Sequence, residues 1–458
     1  MTYGRLLRTL RRVATVLAVL MRVTMAARAQ DRLQWSAPER IPGYPADTYS
    51  PYLVADSSGV VHAFHSQPTD GTISVVYSRW DYEHGWTMPV DLFLPLRGEA
   101  QVKGAWLDQR GTMHLIFTNG NDQLGGDLYY SRAPALEAGS VTAWSVPRLI
   151  GPSANLFAAA ILGDDRGGLY VFYGGTADGN GLYKIASRDS GDTWVQPVPV
   201  RLITEAGVLP GSVALFLDDH HQLHLAWAEW QPPTARDLYY ARMDVDTGHL
   251  APPVRLDEGG ADSPVIVEHK GALFLIYATF GIAHGVAGKA MKQSTDGGRT
   301  WTDASWAFPP LVGGNGNAAL VQDSNHTLYA FLGNRAGDCC HGLWYSTWQG
   351  NAWDTPQAIV QAPKSPEFDP FSPQAVVSRG NVVLVTWWNE SKVNGVWYAA
   401  ATLNAPEVPR LPLPTTVPNV VPFGQPAGSN RPERWILLGV AVPVLALVAI
   451  IAARCRRR

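Results

Sequence analysis

Along most of the chain, apolar residues come in runs of three to five, each bounded by Gly, Pro, Asp or Asn. Pro51-Tyr-Leu-Val54, His114-Leu-Ile-Phe117 and His224-Leu-Ala-Trp227 are such runs, and Leu128-Tyr-Tyr-Ser131, Leu238-Tyr-Tyr-Ala241 and Leu343-Trp-Tyr-Ser346 are aromatic ones. Short apolar or alternating runs rich in aromatic and β-branched residues, punctuated by turn formers, predict strands. The pattern therefore predicts an all-β chain with many tight turns.

The pattern also repeats across residues 30–404. Its clearest element is acid-x-x-Gly-x-apolar-His/aromatic. It reads Asp56…His62, Asp108…His114, Asp164…Tyr170, Asp218…His224, Glu268…Phe274, Asp323…Tyr329 and, degenerately, Ser378…Leu384. The last position advances by 52, 56, 54, 50, 55 and 55 residues. Each unit carries four strand-like pieces, and the fourth opens on Trp, often with Pro three residues later, as in Trp144…Pro147 and Trp194…Pro197. Four short strands per unit of about 50 residues is the blade of a β-propeller, and the count predicts seven blades. The seventh unit stops after its third strand, Val396 to Leu403. Its missing fourth strand is predicted to be Trp35-Ser-Ala-Pro38, stranded at the start of the chain. That pairing would lock a ring and remove two exposed edges.

Of 458 residues, 46% are hydrophobic and only 16% charged, with 44 Gly, 34 Pro and 17 Trp, which excludes a disordered chain and a coiled coil. Residues 1–29 hold six arginines, no acid, a short apolar run and Ala27-Arg28-Ala29, the layout of a secretory signal. Residues 435–453 are 19 residues without a charge, enough for roughly 28 Å of helix, and 454–458 form a basic tail. The arginines of that tail predict a cytoplasmic C-terminus and place the repeats outside the cell, on a single-pass membrane protein. Between them, 405–434 has eight prolines in 30 residues and predicts an extended stalk. Ten of the 36 basic residues sit in the two ends, leaving 26 against all 39 acids. So acidic an exterior argues against nucleic-acid partners.

Two turns between third and fourth strands carry a sharper motif. Ser187-Arg-Asp189-Ser-Gly191-Asp-Thr193-Trp194 and Ser294-Thr-Asp296-Gly-Gly298-Arg-Thr300-Trp301 both read Ser-x-Asp-x-Gly-x-Thr-Trp. They resemble the Asp-box, or BNR repeat, of the sialidase superfamily. The resemblance extends over the repeat region and leaves a six-bladed sialidase-like ring as the alternative to seven. In that family the boxes lie on the face opposite the active site, which implies that Asp189 and Asp296 are folding devices. Asp can accept bonds from the amides of its turn, Gly supplies positive φ, and Trp packs between blades.

The resemblance also implies a test for sialidase activity: three arginines on a carboxylate, a Tyr–Glu nucleophile pair and an Asp acid/base. Arg40-Ile41-Pro42 matches the family's first arginine motif in letters but falls at the end of an outer strand. Arg97, Arg201, Arg236 and Arg335 could reach the functional face, yet none lies on an inner strand. Asp70, Glu229 and Glu390 are the candidate catalytic acids.

The expected function is recognition of an extracellular glycan or glycoprotein by the loop-rich face. An exo-α-sialidase or other glycan-cleaving hydrolase or lyase is the first alternative, and a surface scaffold for other proteins the second. Aromatic faces beside amides and carboxylates suit sugars, whose C–H faces stack while hydroxyls need partners. This points to Trp230, Arg236, Asp237, Asn334, Arg335, Trp388 and Asn389 as ligand-binding residues, with Trp227 and Trp387 packing between blades. His62, His114 and His224 do not predict a metal site, because Tyr, Phe and Leu replace them in other units. No cofactor motif is present. Cys339-Cys340 is expected to close a vicinal disulfide in an oxidising compartment.

Overall fold

The computed structural model describes residues 32–45, 48–121, 125–232, 234–283, 286–313, 316–336, 340–363, 368–389 and 395–414. The expected leader, membrane segment and basic tail lie outside them, as do Glu390 and Cys339. Among the described residues no helix is long and apolar enough to cross a membrane. Nearly every element is a strand, interrupted by two 3-10 turns at Ala135–Glu137 and Val141–Ala143.

Among the described residues the strands pair antiparallel into six sheets. Five of these each hold one sequence unit, for example Leu209–Leu217, Gln222–Gln231, Thr234–Asp244 and Val254–Asp257 in chain order. The remaining sheet has seven strands and holds two units, because the long strand Arg148–Gly163 ends one and begins the next. First strands touch first strands: Tyr52–Ala55 meets Glu99–Leu107, the contacts pass unit by unit to Pro370–Ser378, and that strand returns to Tyr52–Ala55. The arrangement is propeller-like, with the inner strands around the axis.

Closure takes the expected form. Trp35 bridges Ala401, Ser36 donates to the Ala400 carbonyl at 2.8 Å, and Glu39 and Arg40 pair with Tyr398 and Trp397. Residues from the two ends of the described chain thus complete one sheet. Arg40 lies on this outer strand, as its place after Trp35 predicts.

The repeated motif has a bonding reason. In the five units whose turn opens on Asp, that Asp accepts amides two and four residues on, as Asp108 does from Arg110 and Thr112 at 2.9 and 2.8 Å. Its other oxygen receives the side chain six residues on. Three units use an Asp–His–Tyr relay: Asp56–His62–Tyr77, Asp108–His114–Tyr130 and Asp218–His224–Tyr240. The His–Tyr distances are 2.9, 2.8 and 2.7 Å, and the Asp–His distances 3.2, 3.4 and 3.1 Å. An ionised Asp can only accept, so histidine Nε2 carries the proton and Nδ1 accepts from the tyrosine. Where Tyr replaces His, its hydroxyl reaches the Asp directly: Tyr170 to Asp164 at 2.9 Å and Tyr329 to Asp323 at 3.1 Å. The position needs more than bulk; in five of seven units it is a buried hydrogen-bonding tip. The histidines are occupied by this work.

The two Ser-x-Asp-x-Gly-x-Thr-Trp turns form as expected. Ser187 Oγ donates to Asp189 at 2.8 Å and accepts from Gly191 N–H at 2.9 Å, while Thr193 N–H donates to Asp189 at 2.8 Å. Ser294, Asp296, Gly298 and Thr300 repeat the set. Gly191 and Gly298 have φ of +88° and +77°, and a Cβ on either would sit 2.0 or 1.8 Å from the hydroxyl of Tyr130 or Tyr240. Trp194 and Trp301 pack edge-on against those tyrosines, with centroids 4.8 and 5.0 Å away. Each turn therefore clamps the relay of the preceding unit.

Residues 405–414 do not stand away from the sheets. They lie across the turn face: Val408 donates to the Arg379 carbonyl and Leu411 to that of Ser57, both at 2.8 Å. Leu413 is buried with Met113 and Leu115. Arg379 and Arg410 both bridge Glu83, at 2.8 and 2.5 Å, and both also approach Glu407. The proline-rich segment thus begins as a strap over the ring.

Candidate functional site

At the ends of the first strands opposite these turns, the backbone is irregular. Bulges interrupt the pairing at Ala154/Ala159, Pro210/Val213, Asp262/Val265 and Phe371/Gln374. Ser153, Ser263 and Ser372 take positive φ there, at 54°, 50° and 43°. Bulges re-aim side chains. Three of these, at 154–159, 210–213 and 371–374, border a cavity of about 490 Å³ lined from five units, including Tyr49, Tyr52, His65, Phe157, Trp230 and Trp388.

Two aromatic pairs belong to its wall. Tyr49 and Trp388 lie 5.0 Å apart, and Phe157 and Trp230 lie 5.4 Å apart. Tyr49 is 62% and Phe157 45% exposed, so ring faces are open to a ligand. The indole of Trp230 is fixed by a 2.9 Å bond to Asp262, which also accepts from Ser212 at 2.7 Å.

One side of the cavity is a polar ladder on strand Glu99–Leu107. Residues two apart face the same way in a strand, and Glu99, Gln101 and Lys103 all line the cavity. The Gln101 amide donates to Glu99 at 2.8 Å, and Lys103 donates to the Gln101 oxygen at 3.1 Å and to the Leu156 carbonyl. Burial pulls the Lys103 ammonium down to about 8, opposed by the Glu99 charge, and leaves it mainly protonated at neutral pH. His65, stacked on Tyr44 at 3.7 Å, is held neutral because burial lowers it to about 3.

Of the residues expected to bind ligand, Trp230 and Trp388 line this cavity; the others do not. Asn334 is buried and donates to the carbonyls of Val312 and Gly313 at 3.1 and 2.6 Å. Asn389 is buried too, paired across the strands with Pro370, and does not line the cavity. Arg236 bridges Glu205, Asp237 lies 3.9 Å from Arg255, and Arg335 bridges Asp369 at 3.3 Å. Arg97 and Arg201 are likewise committed, to Asp127 and Glu229, both at 2.7 Å. Among the described residues no arginine lines the cavity.

The candidate acids are also displaced. Asp70 begins the two-residue hairpin turn Asp70-Gly71, with φ of 50°, and borders a separate apolar cavity near Phe93 and Phe117. Glu229 is buried under Arg201, whose guanidinium also contacts Tyr239. The Arg201 contact holds the Glu229 carboxyl group away from the cavity lining. Trp227 and Trp387 are fully buried between sheets, as expected. Cys340 is disulfide-bonded.

Sequence reasoning missed Tyr49, Glu99, Gln101, Lys103 and Phe157. These come from connections between units and from the first strands. A usable signal was the Ser-Pro pair at 50–51, 263–264 and 372–373, which marks where those strands cannot pair regularly.

The fold and site together define an all-β, propeller-like protein with an axial cavity. No protein-family model matches the chain, and no curated protein is similar to it. Solved structures are similar in fold. An ulvan lyase of a polysaccharide lyase family, determined bound to a GlcA–Rha3S saccharide, aligns with TM-score 0.55 at 12% identity. The alignment covers 78% of this chain and 94% of that one. A sialidase from Streptococcus pneumoniae (TM-score 0.45, 14% identity, 81% and 70% covered) and the intramolecular trans-sialidase of Ruminococcus gnavus (0.45, 12%, 80% and 96%) also align.

Proposed function

We propose that the axial cavity binds carbohydrate, in a seven-bladed propeller held at the outer face of a membrane by the segment after residue 434. The observation that carries this reading is the combination of two aromatic pairs with a carboxylate–amide–ammonium ladder in one cavity of about 490 Å³. Aromatic faces take the C–H face of a sugar, and the ladder offers both donors and acceptors to hydroxyls. The fold likeness to a polysaccharide lyase supports it. Seven first strands in ring contact support seven blades over six. Among the described residues the cavity has no arginine set for a sialidase-type carboxylate clamp, which favours recognition over that hydrolysis.

The test is a glycan array probed with the full-length chain and with Trp230→Ala and Trp388→Ala. Each variant should lose binding to the saccharides captured by the native chain while keeping its thermal transition. Unchanged binding by both variants, or no capture at all, would reject the reading. Release of product from a captured glycan would turn it towards catalysis.

A further inference from the structure

On the turn face, a second cavity of about 470 Å³ lies at the seam between the fourth and fifth units. Its origin shows when it is set beside the seam between the second and third. There, Arg132 follows the relay tyrosine by two residues and reaches into the neighbouring turn. It donates to the Ser190 carbonyl at 2.6 Å and pairs with Asp192 at 2.5 Å. Asp192 stands between Gly191 and Thr193.

In the later seam, Arg242 holds the place of Arg132: each pairs across the strands with the relay histidine, His224 or His114. The place of Asp192, between Gly298 and Thr300, is taken by Arg299. A cation–anion pair has become two cations. Among the described residues neither arginine forms an ion pair. Arg242 has a 3.5 Å bond to the Gly297 carbonyl, and Arg299 a 2.7 Å bond to that of Asp296. Both line the cavity, with His220 and His249.

Two carboxylates also line it, and both are engaged elsewhere. Asp218 accepts the amides of His220 and Gln222 and the His224 ring. Asp244 accepts the Thr247 amide, which holds its carboxyl below the usual range.

We infer that this seam is a binding site for a tetrahedral oxyanion, phosphate or sulfate, free or carried as an ester, which sits where the earlier seam has the Asp192 carboxylate. Guanidinium groups suit such an anion through paired N–H donors. The site is separate from the axial cavity and independent of its ligand.

Isothermal titration of the full-length chain with sodium phosphate and with sodium sulfate, against sodium chloride at matched ionic strength, tests it. Saturable binding of either oxyanion is expected, with a rise in melting temperature as the anion is added. Arg299→Asp rebuilds the earlier seam's pair and should bind the anion at least about tenfold more weakly, as loss of one charge-assisted contact implies. Arg242→Gln should do the same by removing the other cation. A sulfated disaccharide titrated in parallel separates the sources: tighter binding than inorganic sulfate assigns the site to an ester, weaker binding to the free ion. Heats indistinguishable from chloride, or native affinity in a folded Arg299→Asp chain, would overturn the inference.

Discussion

The second-to-third and fourth-to-fifth seams are built from the same parts. Both have a buried Asp–His–Tyr relay, a Ser-x-Asp-x-Gly-x-Thr-Trp turn, a glycine against the tyrosine hydroxyl and a tryptophan on its ring. They part only at the rim, where one carries Arg132–Asp192 and the other Arg242 beside Arg299. What is shared is directional hydrogen bonding around a buried relay, and what differs is the exposed position held by Asp192 in one seam and Arg299 in the other. The comparison separates what the repeat needs in order to fold from what one seam is free to use otherwise.

Acid should affect both seams together and produce the largest change. Burial lowers the pKa of His114 and of His224, against the pull of their Asp partners, and of His65 to about 3. The unfolded chain therefore binds protons first. Stability is complete above the unfolded histidine value of about 6.5 and falls as pH drops below it, towards about 3. Asp108 adds to the same slope: burial would raise it, but bonds from His114 and the turn amides keep it low, so its contribution is lost on further acidification. Urea midpoints measured between pH 7 and 4 should fall steadily, and a flat profile would show that the relays are not buried as described.

Next in size, Gly191→Ala and Gly298→Ala should each cost about 3 kcal/mol, through positive φ and collision with a tyrosine hydroxyl. Equal losses in denaturation would confirm that the seams share one clamp. His114→Phe and His224→Phe should each cost about 1–3 kcal/mol, because a buried Asp and Tyr lose their partner. Phe already occupies this place at 274, where the turn acid is Glu268.

The smallest effect should be the one that divides the seams. Asp192→Ala should destabilise by about 1 kcal/mol, whereas Arg299→Asp should stabilise the anion-free chain by up to about 1 kcal/mol. Matched signs in the two melting curves would mean that the rims are not equivalent positions.

The ring was legible because its devices are local. Asp-x-x-Gly turns and the Ser-x-Asp-x-Gly-x-Thr-Trp motif each occupy fewer than ten consecutive residues, the strands between them read from short apolar runs, and the leftover Trp35 strand followed from counting. The cavity was less legible because it is made by position around an axis. Trp230 and Trp388 were found because they are aromatic residues next to loops. Lys103 and Glu99 lie mid-strand or at its start, and they become site residues only through inner-strand geometry and the bulges beside them. Arg236, Arg335, Asn334 and Glu229 look alike in sequence whether they bind a ligand or pair with a neighbour. Asp127, Glu205, Glu229 and Asp369, which consume four arginines, are distant in the chain from the partners they neutralise.

The strap formed by residues 405–414 fixes a direction. First strands run from the axial cavity to the turns, and the strap crosses those turns before reaching Pro414 beside Gly111. A pull on the chain beyond residue 414 is therefore applied at the base of the ring, through Arg379, Arg410 and Leu413, and the mouth of the cavity looks the opposite way. A tether at that end would act as a pedestal, with the aromatic pairs on the side away from it.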